Sequence, residues 1–244
     1  VRSRGLGDVY KRQVLQRAGE TYRSPGNLNS EIGLPLSLLE VKPGNYAAVL
    51  EMGGAYAFGE IRLLCEIARP RIGVVTNIHP VHLERMGTIE AIAETKAELV
   101  DAIPADGWAI LNGDDPRVRA MAERCKGRVL FFGLNDGNDV RASGVESDGL
   151  EGTSFWLHLN GEENRVRIPL IGGHAVELAL AAIAVGHAAG LDLADMLQGH
   201  RRVVQAADSI DHVVPGHDPQ VLVRYPRLAG DDYGIACLHL PPLR

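Results

Sequence analysis

A three-layer α/β fold, with a mostly parallel sheet between flanking helices and a small antiparallel hairpin, is predicted by two features of the sequence. Short apolar runs alternate with longer amphipathic stretches, and those runs lack the in-and-out alternation of a half-exposed strand. At 244 residues and 45% hydrophobic content the chain has material for a real core.

Tyr46–Met52 (YAAVLEM), Ile72–Ile78 (IGVVTNI), Trp108–Leu111 and Val129–Phe132 are short, apolar and rich in β-branched or aromatic residues, so each predicts a buried strand. Between them, Gly59–Ala68 and Ile89–Ile103 place apolar residues on one face and end before Pro70 and Pro104, which predicts helices. Phe155–Leu159 and Val166–Ile171 flank Asn160-Gly161, a hairpin turn signal. Ala175–Ala189 predicts a buried alanine-rich helix closed by Gly190.

The two ends of the chain read differently. Val1–Gln13 shows no apolar periodicity, and Asp8–Gln13 back-translates to a stretch resembling the transposase end of sequencing-library kits, so residues 1–13 are set apart as a sequencing or assembly scar. Residues 14–204 form the predicted domain. Residues 205–244 carry Pro215-Gly216, Asp218-Pro219 and Pro241-Pro242 among short strand-like pieces and make no core of their own.

A formal net charge of −6 argues against nucleic acid or an anionic membrane as partner. Three widely spaced cysteines, Cys65, Cys125 and Cys237, fit neither a disulfide framework nor a zinc site and suggest a reducing cytoplasm. No apolar run approaches the about 20 residues that span a bilayer. A small-molecule substrate and a monomeric protein are expected.

The candidate chemistry gathers at predicted strand ends, where open α/β sheets bind ligands. Glu51 ends one strand before Gly53-Gly54 and is either a magnesium ligand or a solvated acid. His82, in the loop Thr76–Glu84 after the next strand, shares that rim or is a surface histidine; His79 and His82 alone do not make a zinc pair. Lys96 lies on the following helix beside Glu94 and Glu98. Asn112, in Leu111-Asn112-Gly113-Asp114-Asp115, offers an amide to a base edge or forms an Asx-turn. The loop Pro25–Leu36 suits polar ligand contacts or an ordinary helix cap.

In order, GNLNSEIGLPLSLL, LEMG, GEI, TNIHPVHLERMG, AETKAEL and LNGDD resemble the central domain of the Mur ligases over about Val14–Leu197. The first element is most similar to the branch that adds D-alanyl-D-alanine to UDP-N-acetylmuramoyl-tripeptide. The resemblance implies a P-loop NTPase-like sheet, ATP and Mg²⁺ as cofactors, those two molecules as substrates, and amide synthesis through an acyl phosphate. It implies Glu51 and His82 as magnesium ligands, Lys96 as a carbamylated lysine, and Asn112 as the adenine contact with Asp115 and His174 beside the nucleotide. Asn27, Asn29 and Ser30 would face the muramoyl substrate.

Departures accompany the resemblance. No Gly-Lys-Thr or Gly-Lys-Ser occurs, so the phosphate-cradling loop expected just upstream of Val14 is absent and the chain is expected to be inactive alone. His79 replaces a small residue, and Gly173-His174-Ala175-Val176-Glu177-Leu178 lacks the arginine and asparagines of the corresponding family element. The tail from Ala206 to Pro242 instead resembles the end of a metallo-β-lactamase-fold hydrolase, with His217 matching a metal ligand but without the His-x-His-x-Asp-His cluster. The chain is therefore read as a chimera.

Overall fold

A computed structural model describes residues 6–25, 28–53, 57–80, 83–170, 172–201 and 236–238. In chain order these form α1 (Leu6–Leu15), β1 (Thr21–Arg23), α2 (Gly33–Leu39), β2 (Ala47–Val49), β3 (Glu51–Met52), α3 (Glu60–Ala68), β4 (Ile72–Val75), α4 (Leu83–Met86) and α5 (Ile89–Ala102). There follow β5 (Trp108–Asn112), α6 (Pro116–Ala120), β6 (Arg128–Gly133), β7 (Val140–Ser147), β8 (Thr153–Leu159), β9 (Glu162–Ile168), α7 (Gly173–Ala188), α8 (Leu193–Arg201) and β10 (Ala236–Leu238).

The main sheet runs β3-β10-β4-β5-β6-β7-β8-β9, parallel from β3 to β7 and antiparallel through β8 and β9. β1 and β2 pair in parallel beside it. The predicted α/β class and the attached hairpin are therefore present. Parallel strands must be buried on both faces, and β2 and β4 are buried at every position. On one face α5 lies so close to β4 that a Cβ on Gly73 would come within 2.9 Å of Leu99. α7, buried along almost its whole length from Ala175 to Gly186, packs on β4 to β9 and against α1 and α8, completing three layers. Among the described residues no helix is long and apolar enough to cross a membrane.

The hairpin turns at Asn160 and Gly161, with φ of 54° and 80°, the doubly positive pair of a type I′ turn. Its second strand begins at Glu162, earlier than the expected Val166: in EENRVRI the late members alternate, with Val166 and Ile168 buried and Arg165 and Arg167 outward, and the turn imposes pairing on the charged residues before them. The expected strand Tyr46–Met52 divides at Leu50 into β2 and β3, which belong to different sheets. β7 and α8 lie in segments for which no element was expected.

The segment Asp8–Gln13, set apart on sequence grounds, is helical here. α1 buries Tyr10, Val14 and Leu15 fully, but also Asp8, Lys11 and Gln13. Asp8 Oδ1 has no hydrogen-bond partner among the described residues. Burial raises its carboxyl pKa to about 6, against the opposing pull of Lys11 and Arg23. A helix that places a carboxylate in the core conflicts locally with the fold it joins.

The sign of the linkage follows. With a folded pKa of about 6 against 3.8, the native chain holds more protons than the unfolded one in between, so this group's contribution is most favourable below the lower value and is lost as pH rises to the upper. Urea unfolding at a series of pH values is expected to show Asp8→Asn removing about 2–3 kcal/mol of that decline across the window.

Candidate active site

Because β3, β4 and β5 are parallel, their carboxyl ends share one rim. Glu51 stands level with Val74 and Ile110 through the register of β3, β10, β4 and β5. Thr76, Asn77 and Asn112 follow two to three residues higher. Three strand spacings separate β3 from β5, so the rim spans about 14 Å.

α5 is the element that makes this rim polar and rigid. Its N-cap Thr88 accepts from Ala91 N, and the helix then drives Lys96 into the interior, only 1% exposed. The Lys96 ammonium donates to the backbone oxygen of Asn77 at 2.6 Å. Asn77 in turn accepts through its side-chain oxygen from Asn112 Nδ2 at 3.0 Å. Asn112 Oδ1 accepts from Asp114 N at 2.9 Å, so the Asx-turn weighed from sequence exists alongside a further amide hydrogen that is still available. Thr76 is buried, and its hydroxyl has no hydrogen-bond partner among the described residues.

Two residues beyond Lys96, Glu98 caps a different helix. Its carboxylate accepts from Gly59 N at 2.7 Å and Arg62 N at 2.9 Å, satisfying amides that the first turn of α3 leaves open. Gly59 is left-handed, with φ of 92°, so no side chain there supplies the cap. α5 thus fixes both the loop after β4 and the helix after β3.

Glu51 is buried, and its carboxylate accepts from Asn29 Nδ2. The backbone oxygen of Asn29 accepts from Gly53 N at 2.8 Å. One residue therefore clamps the end of β3 with both its backbone and its side chain. Gly53 is required by this approach: a Cβ there would lie 2.5–2.8 Å from the Asn29 amide atoms. Ser24 Oγ accepts from Glu51 N at 3.3 Å.

The remaining sequence candidates divide. Asp115, expected beside the nucleotide, N-caps α6 by accepting from Arg117 N and Val118 N, and its other oxygen accepts from Ile78 N at 2.9 Å. Both oxygens are committed to backbone, so it holds the β4 and β5 loops together. Ser30 Oγ accepts from Gly33 N at 3.2 Å, at the start of α2. His174 stands on the first turn of α7, which follows β9 at the sheet edge opposite β3, with Nδ1 3.6 Å from Glu177. Asn27, His82 and His217 lie outside the described residues. Among the described residues no group of three His, Cys, Asp or Glu side chains gathers as a metal site.

Sequence reading missed Asn77 and the knot beyond Asn112. There Asp114 accepts from Asn135 N and Asn138 Nδ2, Asn138 Oδ1 accepts from Arg119, and Arg119 Nε donates to Gly113 O. Arg119 also lies 4.3 Å over the Phe131 ring. These partners are distant in sequence, and only the doublet Asp114-Asp115 hinted at them.

Two outcomes follow for thermal or urea unfolding. Glu98→Ala is expected to cost about 1–3 kcal/mol, because two part-buried amides at the start of α3 lose their charged acceptor. Gly53→Ala is expected to cost a comparable amount, about 1–3 kcal/mol, by overpacking against Asn29. A cost within about 0.5 kcal/mol, the range of ordinary surface substitutions, would contradict either assignment.

Comparison with known proteins agrees with this geometry. The family profile described as the Mur ligase middle domain matches residues 10–186. The UDP-N-acetylmuramoyl-tripeptide–D-alanyl-D-alanine ligase of Mycobacterium bovis is 41% identical over 172 residues, 70% of this chain and 34% of that protein. That of Bacillus subtilis is 39% identical over 171 residues, 70% of this chain and 36% of that protein. Among solved structures, MurF from Acinetobacter baumannii superposes with a TM-score of 0.75 at 31% identity, over 80% of this chain and 43% of that one. MurF ligase from Thermotoga maritima, in complex with ADP, gives 0.69 at 30% identity, over 80% of this chain and 46% of that one. The chain spans about a third of the length of these curated relatives. With the profile matched from the middle of α1 into α7, over the strands that build the polar rim, the chain belongs to the Mur ligase family through its middle domain.

Proposed function

We propose that this chain is the ATP-handling part of a ligase that adds D-alanyl-D-alanine to UDP-N-acetylmuramoyl-tripeptide, and that by itself it does not turn over. The observation that carries the reading is the shared rim, where a buried carboxylate at Glu51 ends one parallel strand and Lys96, buried on α5, holds the loop that leaves another, in a chain so similar to ligases of that name.

In this reading the tripeptide's terminal carboxylate attacks the γ-phosphorus of ATP. The bond to the bridging oxygen breaks, ADP leaves, and an acyl phosphate remains. The amine of D-alanyl-D-alanine then adds to the acyl carbon, phosphate departs, and the nitrogen loses a proton. The chain's part is to align charge for the first transfer.

The donor set fits a hard cation: Glu51 offers a buried carboxylate, and the buried Thr76 hydroxyl, on the same rim just beyond β4, lacks a hydrogen-bond partner among the described residues. Magnesium, when bound, neutralises the phosphate oxygens. Glu51 and His82 would hold it, and Asn29 orients the Glu51 carboxylate. Lys96, deprotonated and joined to carbon dioxide with loss of a proton, would present an anion in place of a cation. Asn112 keeps one amide hydrogen for an adenine edge beyond its bond to Asn77. Asn29 and Ser30 lie in the loop that would meet the muramoyl substrate, and Asp115, which joins the loops after β4 and β5, and His174 are assigned to the nucleotide's side. The tail, His217 included, is read as a foreign segment resembling a metallo-β-lactamase-fold end.

No Gly-Lys-Thr or Gly-Lys-Ser occurs in the 244 residues, which favours one second reading, a nucleotide- or muropeptide-binding module without catalysis. Calorimetry with ATP–Mg²⁺ and with the nucleotide-sugar peptide separates the two, since a dedicated binder holds one of them tightly.

Phosphate release dependent on both ATP and D-alanyl-D-alanine is expected to be absent from the present chain. It is expected to return when a phosphate loop is joined upstream and a ligase C-terminal domain downstream. In that extended protein Lys96→Ala is expected to lower kcat by about a hundredfold or more. Full activity of the present chain, or an unchanged rate in the Lys96 variant, would overturn the proposal.

A further inference from the structure

The connection from β3 through α3 to β4 does not join neighbouring strands. It skips one position in the sheet, and that position is filled from far along the chain by Ala236–Leu238. β10 is in parallel register on both sides: Cys237 with Glu51 and Leu238 with Met52, and Ala236 with Gly73 and Cys237 with Val74.

The skipped position has to be occupied. Without a strand there, β3 and β4 would stand two spacings apart, about 9.6 Å, too far for direct pairing. Glu51, Met52, Val74 and Val75 are all buried, so their inward-facing amide and carbonyl groups would lose both partner and water. Each such group costs about 1–3 kcal/mol when orphaned. The occupant needs little sequence specificity, because strand addition is held by main-chain hydrogen bonds. An apolar stretch suits a place between two buried strands, and Ala236-Cys237-Leu238 is one in a tail otherwise rich in turn formers.

We propose that the gap between β3 and β4 is a strand-acceptor position, and that this chain fills it in cis with its own residues Ala236–Leu238. β10 then attaches the Glu51 strand to the rest of the sheet. Being parallel to its neighbours, it also ends on the rim where Glu51 and Asn77 stand. Residues Ala236–Leu238 thereby stand at the carboxyl edge of the parallel strands, the side on which open sheets of this kind take their ligands. A different parallel strand can enter that position only by displacing them. The inference rests on the proposed function only for the use of that rim; the strand pairing stands or falls separately.

Hydrogen exchange on the full chain, without nucleotide, tests it. The amides of Cys237 and Leu238 are expected to be protected about a hundredfold over an unstructured segment, together with those of Met52, Val74 and Val75. Cys237→Pro, which removes a ladder N–H, is expected to cut protection in β3 and β4 at least about tenfold while the β8–β9 hairpin keeps its own. Protection that does not change with protein concentration, in a species of monomer mass, supports filling in cis. Unprotected Cys237 and Leu238 in the unaltered chain overturn the proposal, as does unchanged exchange in β3 and β4 of the proline variant. Concentration-dependent protection in a dimer overturns the cis assignment. If the proline variant unfolds throughout, the unaltered chain's pattern decides alone. None of these outcomes depends on ligase chemistry, so a failed ligase assay and a failed strand assignment are distinguishable.

Discussion

The contact on which the rest of the rim depends is the one between the Lys96 ammonium and the Asn77 carbonyl. A cation with 1% of its residue exposed must find compensation inside the protein, since an uncompensated buried charge costs several kcal/mol. Here the acceptor is backbone, so satisfying the charge fixes the path of the chain as it leaves β4. That path then sets the Asn77 side chain against Asn112 and brings Ile78 N to Asp115. The loops after β4 and β5 are thus tied to α5, which adds the Glu98 cap on α3 two residues later. The helix is less a cover for the sheet than the part that sets the spacing of everything along its carboxyl edge.

The two chain ends enter this frame on different terms. α1 occupies a helical place against α7 and α8, yet it carries Asp8 into the core with an oxygen that no described residue satisfies. β10 occupies a strand place between β3 and β4, where the requirement is chiefly main-chain pairing, which an apolar tripeptide supplies. The contrast follows from what each place demands. A buried helix face tests every side chain for polarity and volume, whereas a parallel strand position tests mainly for a free backbone.

How much was legible in the sequence follows the same division. β4 and β5 were readable because both faces are buried and apolarity is then unbroken; the hairpin was readable because Asn160 and Gly161 are the residues that tolerate positive φ. α7 was readable because nothing but a buried helix accommodates so long an alanine-rich run. β7 was not: VRASGVES has a glycine and polar residues, and its pairing shifts register between Ser143 and Glu146, which breaks the two-residue period. At the rim, Glu51, Lys96 and Asn112 could be picked by position and resemblance. Their partners could not, because Asn29 meets Glu51 across 22 residues and Asn112 meets Asn77 across 35, and no local pattern encodes such meetings. The contacts of Asp115 were equally illegible: it accepts from Arg117 N and Val118 N at the start of α6, and its other oxygen accepts from Ile78 N across 37 residues.

The clamp of Asn29 on the end of β3 has a consequence for coupling across the site. The side chain restrains the Glu51 carboxylate while the backbone oxygen holds Gly53 N, so the loop preceding α2 cannot move away from β3 without releasing both. Any ligand that orders this loop therefore also orders the carboxylate, and any cation that fixes the carboxylate in turn restrains the loop. Such coupling is reciprocal by thermodynamic necessity and requires no conformational relay, because the two regions share a single residue. A shared residue of this kind links whatever orders the loop before α2 to whatever engages the carboxylate at the end of β3. The absence of a β-carbon at Gly53 is the structural condition for it, since any side chain there would separate the loop from the strand.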